Sequence, residues 1–496
     1  MMRRFLQIVT TVSLLLLSAE QAVGFSLVGP NPPWQTTALG FQIPGNTFAG
    51  VGGPMNINEE YRWNVPTIHY GYSAEFLSYF GQDGVDSIEE AVEILNDVPS
   101  VDNLNLEDYQ TESGRVNLRA SALGLTDLKS VALSSMLQAR GLADPTRYSF
   151  VIRNRWVINN VTNYLVTKRN FDPETLQHSS FVNGSLWSYI IQDPVPPLNY
   201  AWANNFPVDP LERLLPRTLP VAGIDSFPIA NGFFWTQLTR DDVGGLKHIY
   251  RSSNFNTETT LPDVTGPAGG VAGAQVGFPG GGDTFDFPSA VTGAGGGTFD
   301  FPFGATTPVA AGGQAAGGAP VGGAAIGPAL RGGISRIQMV RSDYDSLVGV
   351  FFIPLIERFS ETVRTNGRPL SQSVTRTVLQ PDIIFDAADL QEGDAKAGGI
   401  VSYSTSGAAG WSSSDALDGT TGDDAGPGVI VPAFTITFNT VGPAFLNLQS
   451  ANSFFLTEGS FGSQSQLTWG SFDGSTNDPI AYPVGTSILE LERRVR

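Results

Sequence analysis

The spacing of apolar residues predicts a helix in the first quarter of the chain. Residues 85–95 carry apolar side chains at helical intervals and glutamates largely on another face, which is typical of an amphipathic helix with a solvated side. The run at 67–70 has the pattern of a strand and precedes this helix. The apolar helix positions are Val85, Ile88, Val92 and Ile94, and the glutamates are Glu89, Glu90 and Glu93.

Two more helices are predicted further along. The first covers 128–140 and ends at Gly141, a residue type that favours helix C-termini. The second covers 241–250 and opens on Asp241 and Asp242, because acidic side chains are favourable at the positive end of a helix. The first half of the chain therefore mixes helices with strands.

The last third of the chain has a different pattern. Short apolar or alternating runs, bounded by turn residues, occur at 348–353, 383–385 and 434–438. Runs of this length and spacing predict strands. We expect an all-β, sandwich-like domain over 334–496.

A low-complexity segment separates these two regions. Residues 262–333 are rich in Gly, Ala and Pro and almost free of charge, which predicts a linker between a domain at 25–261 and one at 334–496. The sequence Thr-Phe-Asp-Phe-Pro occurs twice in it, at 284–288 and 298–302. These twin units leave a second interpretation open, in which the segment carries small docking motifs.

The start of the chain has the pattern of a secretory signal peptide. A positive start over 1–4 leads into a mostly apolar run at 5–17, and small residues at 22–24 offer a cleavage site before Phe25. The predicted signal peptide is therefore 1–24. It predicts export, with the mature protein extracellular, on the cell surface or in the periplasm.

The absence of cysteine and of a long apolar run after residue 24 excludes several classes of exported protein. The chain has no cysteine, which excludes disulfides and a lipid anchor on an N-terminal cysteine and is typical of a large exported bacterial protein. A helix that spans a bilayer needs roughly 20 apolar residues. The best later candidate, 347–356, is interrupted by Gly349 and Pro354. We expect no transmembrane segment after signal peptide cleavage.

The charge of the chain argues against nucleic acid as a partner. There are 47 acidic and 28 basic residues, which gives a formal net charge of −19. A surface of this sign repels phosphate backbones, and no cluster of Lys and Arg offsets it. The acidic excess otherwise indicates solubility.

Two of the predicted helices carry motifs of a known family. Residues 238–250 open on Thr-x-Asp-Asp, contain Gly-Leu and end on Ile-Tyr. This segment resembles the closing helix of the matrixin branch of the metzincin zinc peptidases. Residues 131–142 resemble the active-site helix of the same family in their apolar entry, their alanine and their final Gly-Leu. The resemblance covers short stretches in the expected order, and it implies an α/β (α+β) metzincin-like fold for 25–261.

The resemblance does not extend to the zinc ligands. In the motif His-Glu-x-x-His, two His one helical turn apart bind zinc and the Glu activates the metal-bound water. Those positions hold Ser134, Ser135 and Gln138 here, and the third ligand position holds Asp144. The methionine of the family's Met turn is also missing. The resemblance therefore implies a metallopeptidase-like pseudoenzyme without catalytic residues, metal ligands or a cofactor.

Other chemistry is weakly indicated. His69 and His248 are flanked by apolar residues, which favours structural roles, and no Gly-x-Ser-x-Gly or phosphate-binding loop occurs, although a Ser-His-Asp triad stays open. Asp-rich loops at 415–424 and 473–478 offer oxygen ligands of the kind that calcium prefers. Turns favour the same residue types, and the spacing does not match an EF-hand, so we interpret both loops as turns.

The sequence leads to one main hypothesis and two alternatives. The main hypothesis is an exported, non-catalytic binding or structural protein, whose partner is a peptide or a cell-surface or extracellular polymer. The first alternative is a secreted hydrolase, a peptidase or glycosidase, with an active site that the motifs do not identify. The second makes 334–496 a cell-wall or matrix adhesin.

Overall fold

The computed structural model describes most of the chain in separate stretches. The predicted signal peptide up to residue 22, the twin Thr-Phe-Asp-Phe-Pro units and the Asp-rich loop 415–424 lie outside them. The described residues are 23–28, 55–57, 59–193, 201–214, 217–225, 231–258, 260–261, 263–266, 329–345, 349–387, 390, 405–406, 429–430, 434–438, 444–450, 453–458 and 468–495.

Both helices and sheets occur, as expected for an α+β protein. The helices are α1 (Ala74–Asn96), α2 (Leu118–Leu123), α3 (Leu128–Gln138), α4 (Pro145–Tyr148), α5 (Pro210–Leu214), α6 (Arg240–Tyr250) and α7 (Ile488–Val495). The first strands are β1 (Ser26–Leu27), β2 (Thr67–Tyr72), β3 (Gly114–Val116), β4 (Leu125–Asp127), β5 (Leu142–Ala143), β6 (Val151–Ile158), β7 (Val161–Thr167), β8 (Phe181–Val182), β9 (Ser185–Gln192), β10 (Trp202–Pro207), β11 (Phe233–Trp235), β12 (Phe255–Glu258) and β13 (Val264–Thr265). The remaining strands are β14 (Ala329–Gly332), β15 (Gln338–Arg341), β16 (Leu355–Thr365), β17 (Arg368–Val378), β18 (Ile383–Asp386), β19 (Thr405–Ser406), β20 (Phe434–Thr437), β21 (Ala444–Ser450), β22 (Ser453–Glu458), β23 (Thr468–Ser471) and β24 (Ile480–Ala481).

A parallel sheet joins the two halves of the chain. Its order is β15-β2-β18-β20, so the early strand β2 lies between two strands that follow the low-complexity segment. Ile68 lies opposite Met339, and Ile383 lies opposite both Tyr70 and Phe434. The regions 25–261 and 334–496 therefore share this sheet and one hydrophobic core. β2 is hydrogen-bonded to β15 on one side and to β18 on the other, so this sheet depends on strands from both regions.

Helix α1 covers one part of this sheet. It is longer than the predicted 85–95: Ser73 caps its N-terminus by accepting a hydrogen bond from the amide of Phe76 (3.0 Å), and Gly81 interrupts the helical geometry with a φ of 61°. The aromatic rings of its first turns pack on the sheet, with Phe80 5.7 Å from Phe438 between ring centroids. Its buried residues include Phe76, Phe80, Val85, Ile88, Val92 and Leu95.

A second sheet is antiparallel and is built around the long hairpin β16–β17. Its order is β12-β14-β16-β17-β13, so it too combines strands from both sides of the low-complexity segment. The predicted strand at 348–353 is wrong over its described part: Val350 forms only an isolated bridge with Asp345, while Phe352 and Ile353 are exposed. Phe351 between them is buried, so only part of this apolar run faces solvent.

One arginine connects the two sheets. Arg376 of β17 is fully buried and pairs with Asp382 and, at 2.9 Å from Nε to Oδ2, with Asp263. It also donates to the carbonyl of Thr67 at the start of β2 (3.2 Å), and Asp382 accepts from the amide of His69 (2.8 Å). A buried charge needs partners of this kind, since an unpaired one costs several kcal/mol.

The helices at the two family motifs match their predicted positions closely. Helix α3 begins at Leu128, and the chain leaves it at Gly141, whose φ of 101° favours glycine. Helix α6 begins with Thr239 and Asp242 in a reciprocal capping arrangement. The described helices include none with the length and apolar character needed to cross a membrane.

We expect residues 25–266 alone to lack a cooperative thermal transition, because β2 loses β15 and β18 and the core loses Phe385 and Phe438. Circular dichroism melting of this fragment against 25–496 measures the difference. Co-expression of 25–266 with 329–496 is the matched control, since it keeps every strand of both sheets. A sharp, two-state transition in 25–266 alone would contradict the shared sheet.

Candidate functional site

The four positions at which the metzincin family has metal ligands lie in the protein interior. Ser134 and Ser135 are 0% exposed and Gln138 is 1% exposed, because every face of α3 between Val131 and Gln138 is buried. The Ser135 hydroxyl donates to the carbonyl of Val131 (2.9 Å). Hydroxyl and amide groups in a packed helix do not suit Zn²⁺, which is bound by thiolate, imidazole and carboxylate.

Asp144 is the N-cap of helix α4. Its Oδ1 accepts hydrogen bonds from the amide (2.8 Å) and the hydroxyl (2.7 Å) of Thr146, which caps the short helix α4. It is fully buried. These four side chains together therefore do not fit the zinc centre of the family that the segment resembles.

The acidic pair that opens α6 binds backbone amides of distant segments. Asp241 accepts from the amides of Gly24 (2.9 Å), the last residue of the predicted signal peptide, and of Asn183 (2.7 Å). Asp242 accepts from the amides of Val221 (3.0 Å) and Ala222 (2.9 Å). Burial raises the pKa of Asp241 well above its ordinary value and raises that of Asp242 as well. Within the mature chain this motif thus joins α6 to two distant segments and has a structural explanation.

The histidines are also held structurally. His69 contacts Ser342 through Nδ1 (2.8 Å) and Glu357 through Nε2 (3.0 Å). His248 is buried, its ring centroid lies 5.2 Å from that of Phe25 in a tilted arrangement, and its Nε2 lies 4.0 Å from Glu60. Burial lowers the pKa of His248. Within the described part of the chain, no three His, Asp or Glu side chains are arranged to hold a metal ion.

An acidic cleft of about 310 Å³ lies where α1, the start of α3 and the residues after β23 meet. Six carboxylates line it, with Lys129 as the only basic residue among the lining groups. Lys129 is itself engaged, since its Nζ lies 3.0 Å from Glu90. The cleft residues are Asp83, Asp86, Ser87, Glu90, Asp127, Lys129, Ser471, Phe472, Asp473, Asp478 and Ile480. The surplus of negative charge favours a positively charged ligand.

Asp127 forms the buried inner wall of this acidic cleft. It is 0% exposed, whereas Asp83, Asp86 and Glu90 are exposed at the rim. Two structural roles fix its position. Asp127 is the last residue of β4, opposite Gly470 of β23, and it is also the N-cap of α3. Its carboxylate therefore lies between the end of a strand and the start of a helix.

The two oxygens of Asp127 have different surroundings. Oδ2 accepts from the amide (2.9 Å) and the hydroxyl (2.5 Å) of Ser130. Oδ1 is buried and makes no hydrogen bond of ordinary geometry with the described residues. The backbone amide of Phe472 interacts weakly with the carboxylate and lowers its pKa. Burial raises the pKa of Asp127 to about 6, against the opposing effects of Ser130 and Lys129. The carboxylate is therefore mostly ionised at neutral pH and lacks a full set of donors.

A row of hydroxyl groups lies beside Asp127. Ser87 and Ser471 are 2.6 Å apart between their Oγ atoms, and Ser471 is 2.7 Å from the hydroxyl of Tyr482. Burial, together with the charges of Asp83 and Asp127, raises the pKa of Tyr482 to about 12, so this hydroxyl stays neutral. The row supplies polar groups without a charge that opposes a cation.

The second Asp-rich loop, 473–478, borders the acidic cleft and is held as a turn. The Nδ2 of Asn117 donates to the carbonyls of Asp473 (3.0 Å) and Asn477 (2.9 Å), and Asp473 accepts from the side chain of Asn477 (2.6 Å). Asp478 forms an ion pair with Arg119. The loop thus has the hydrogen bonds of a turn, and calcium binding by it stays an untested prediction.

Comparison with known proteins adds no family. No protein-family model, curated protein or solved structure matches the chain. The metzincin resemblance therefore stays a prediction from short segments. Asp127 was not identified from the sequence as a site residue, because Asp is a common N-cap. The signal that could have pointed to it was its position directly before the helix predicted to start at Leu128.

We expect Ser134→His to lower the free energy of unfolding by about 1–3 kcal/mol, because an imidazole overfills a fully buried site. Urea unfolding measures this. Ser134→Ala is the control, and we expect it to be neutral or slightly stabilising, since the buried Ser134 hydroxyl has no hydrogen-bond partner in the described residues. Unchanged stability of Ser134→His, together with tight zinc binding, would show that this position faces an open metal site.

Proposed function

We propose that the protein is an exported, non-catalytic binding protein whose acidic cleft takes a basic group, a guanidinium or an ammonium, of a peptide or extracellular polymer. The observation that supports this is the Oδ1 of Asp127, a buried carboxylate oxygen without a hydrogen bond of ordinary geometry, in a cleft lined by acidic side chains. A basic side chain of the partner supplies the donors that this oxygen lacks.

The energetics favour a basic group over an apolar one. A buried carboxylate that lacks donors is costly, and a charged hydrogen bond recovers about 1.5–3 kcal/mol. The exposed carboxylates at the rim add long-range attraction, which raises the rate of encounter with a cationic partner more than it raises affinity. Asp127 therefore provides the affinity in this proposal, and Asp83 and Asp86 provide steering.

The side chains of α3 support the proposal that the protein is not a catalyst. Ser134, Ser135 and Gln138 offer neither zinc ligands nor a base, and they are packed in the core. The residues that line the acidic cleft include no histidine and no nucleophile paired with a base. Binding is the activity that these groups support.

Asp127 also favours one alternative, a glycoside hydrolase. A carboxylic acid with a raised pKa near ionised carboxylates is the arrangement in which such enzymes separate acid and base roles. Release of reducing ends from extracellular polysaccharides by the mature chain, lost in Asp127→Asn, would replace the binding proposal by hydrolysis.

We expect a Gly-Gly-Gly-Arg-Gly-Gly-Gly peptide to bind the mature chain and the same peptide with Gln in place of Arg not to bind. Isothermal titration calorimetry measures both. Asp127→Asn should weaken Arg-peptide binding about 10- to 100-fold, the equivalent of one charged hydrogen bond. Asn is as good an N-cap as Asp, so this variant should keep α3 intact.

The matched control for this experiment is Asp86→Asn, which removes one exposed carboxylate of the same cleft. We expect less than about a threefold loss of affinity, and that loss should vanish in high salt because exposed charges are screened. Equal losses in the two variants, or no binding of the Arg peptide, would contradict the assignment to Asp127.

Binding and stability should respond to pH in opposite directions. The pKa of Asp127 is about 6 in the folded chain and near its ordinary value of 3.8 in the unfolded chain. Between these values only the folded state holds the proton, so this group favours folding as the pH falls from 7 towards 4. Affinity for the Arg peptide should fall about tenfold from pH 7 to pH 5, since only the ionised carboxylate binds.

The control for the pH experiment is Asp127→Asn, in which the tenfold change should disappear. Calorimetry at pH 5, 6 and 7 measures the affinities, and thermal melting at the same pH values measures the stability. An affinity that does not depend on pH in the unmodified chain would contradict an ionised Asp127 as the binding group.

A further inference from the structure

The outward face of the second sheet, the one built around β16 and β17, carries positive charge only. Alternate residues of a strand lie on opposite sides of a sheet. Glu361 and Val363 of β16 are buried against the core, so Arg358 and Arg364 point outward, and both are exposed. None of the outward residues of this sheet is acidic, although acidic residues outnumber basic ones in the chain by 47 to 28. By strand register these residues are Phe255, Thr257, Thr265, Leu330, Gly332, Ile356, Arg358, Ser360, Thr362, Arg364, Pro369, Ser371, Ser373, Thr375 and Thr377.

Neither of these two arginines pairs with a carboxylate of the described residues. Arg364 lies over the ring of Phe255, with 4.0 Å from its Cζ to the ring centroid. The N–H groups at the edge of a guanidinium stay available to a carboxylate in such a stack. Both arginines can therefore accept an acidic partner.

An exposed apolar patch adjoins Arg358. Ile356 lies two residues before it on the same face, and the hydrogen bond from the amide of Phe351 to the carbonyl of Leu379 (2.7 Å) holds the neighbouring chain ends together. Adjoining exposed apolar side chains are typical of a contact surface. The patch consists of Phe352, Ile353, Ile356 and Leu379, which are between 55% and 78% exposed.

The segment 267–328 of the same chain has the complementary chemistry. It lies outside the described residues, and its sequence contains no Lys, Arg or Glu. Its charged residues are Asp283, Asp286 and Asp300, and the last two are the central residues of the twin Thr-Phe-Asp-Phe-Pro units. A carboxylate between two phenylalanines matches an arginine beside apolar groups, since it offers both an ion pair and apolar contact.

The segment begins and ends in register with the two arginines. The chain enters it after β13, where Thr265 lies opposite Thr375, which in turn lies opposite Arg358. It returns at β14, where Leu330 lies opposite Arg364. The first unit is therefore nearer in sequence to the Arg358 end, and the second unit is nearer to the Arg364 end.

The spacing of the units fits the spacing of the arginines. Arg358 and Arg364 are six positions apart on one strand, which corresponds to about 20 Å. Asp286 and Asp300 are 14 positions apart. A Gly-rich chain of that length has a root-mean-square end-to-end distance of about 19–22 Å. Both units can thus contact the sheet at once without stretching the chain between them.

We propose that the outward face of the second sheet is the docking surface for the twin Thr-Phe-Asp-Phe-Pro units of this chain. Asp286 pairs with Arg358 and Asp300 pairs with Arg364. The phenylalanines of the first unit contact the apolar patch, and those of the second contact Leu330. Each contact is weak, but the second forms within one molecule once the first has formed, which raises its effective concentration. This surface is independent of the acidic cleft and of the function proposed for it.

The test uses the absence of cysteine from the chain, since two introduced thiols are then the only ones. In the mature full chain, Ser289→Cys follows the first unit and Ser360→Cys lies two residues from Arg358. We expect a short bismaleimide to cross-link this pair at least about fivefold faster than Ser289→Cys with Ser475→Cys, an exposed position beside the acidic cleft. Mass spectrometry of tryptic peptides measures the cross-link.

Charge variants of the cross-linking chain test the ion pair itself. Arg358→Gln and Asp286→Asn should each reduce the rate to that of the control pair, and the exchanged pair Arg358→Asp with Asp286→Arg should restore it. Arg368→Gln is the matched control, because it removes an exposed arginine of β17 from the other side of the sheet, and it should leave the rate unchanged.

The second contact is tested in the same way with Thr306→Cys and Thr362→Cys, and here Arg364→Gln should reduce the rate. Cross-links between two molecules would show that the unit of a second copy occupies the surface. That result, a rate equal to that of the control pair, or a rate that Arg358→Gln does not change would overturn the proposal.

Discussion

The pairing of β2 with strands from the far side of the low-complexity segment is the constraint on which the rest of the structure depends. It brings together groups such as His69 and Asp382, which hydrogen-bond although they are 313 positions apart in the sequence. Arg376 fixes this arrangement, since it pairs with two aspartates and with the carbonyl of Thr67. Because Arg376 and Asp382 are fully buried, each needs the other in place, and we expect the two halves of the chain to fold as one unit around them.

Helix α3 owes its position to that shared core, and the acidic cleft lies at its N-terminus. Its middle is packed on all sides, and Ser134 and Gln138 lie in the core. Its N-terminus leaves Asp127 between β4 and β23. The negative charge of Asp127 is opposite in sign to the basic group that we propose as its ligand.

Local signals in the sequence predicted the elements better than their arrangement. The helices at 128–140 and 241–250 were recognisable because Gly141, Thr239 and Asp242 act on the chain within one turn. The neighbours of β2 were not, since a short apolar run carries no information about which distant strand pairs with it. The cleft was missed for the same reason. An Asp before a helix is an ordinary cap, and only the pairing of β4 with β23 buries Asp127.

The most direct measurement of the central claim is the pKa of the Asp127 carboxyl, followed by carbon NMR in the mature chain with and without saturating agmatine, a small guanidinium compound. The account predicts titration near pH 6 in the free protein and a decrease of at least about one unit when agmatine binds, because a cation stabilises the ionised form. An ordinary pKa near 4 in the free protein, or a value that agmatine does not change, would contradict the claim that Asp127 is a buried carboxylate awaiting a basic partner.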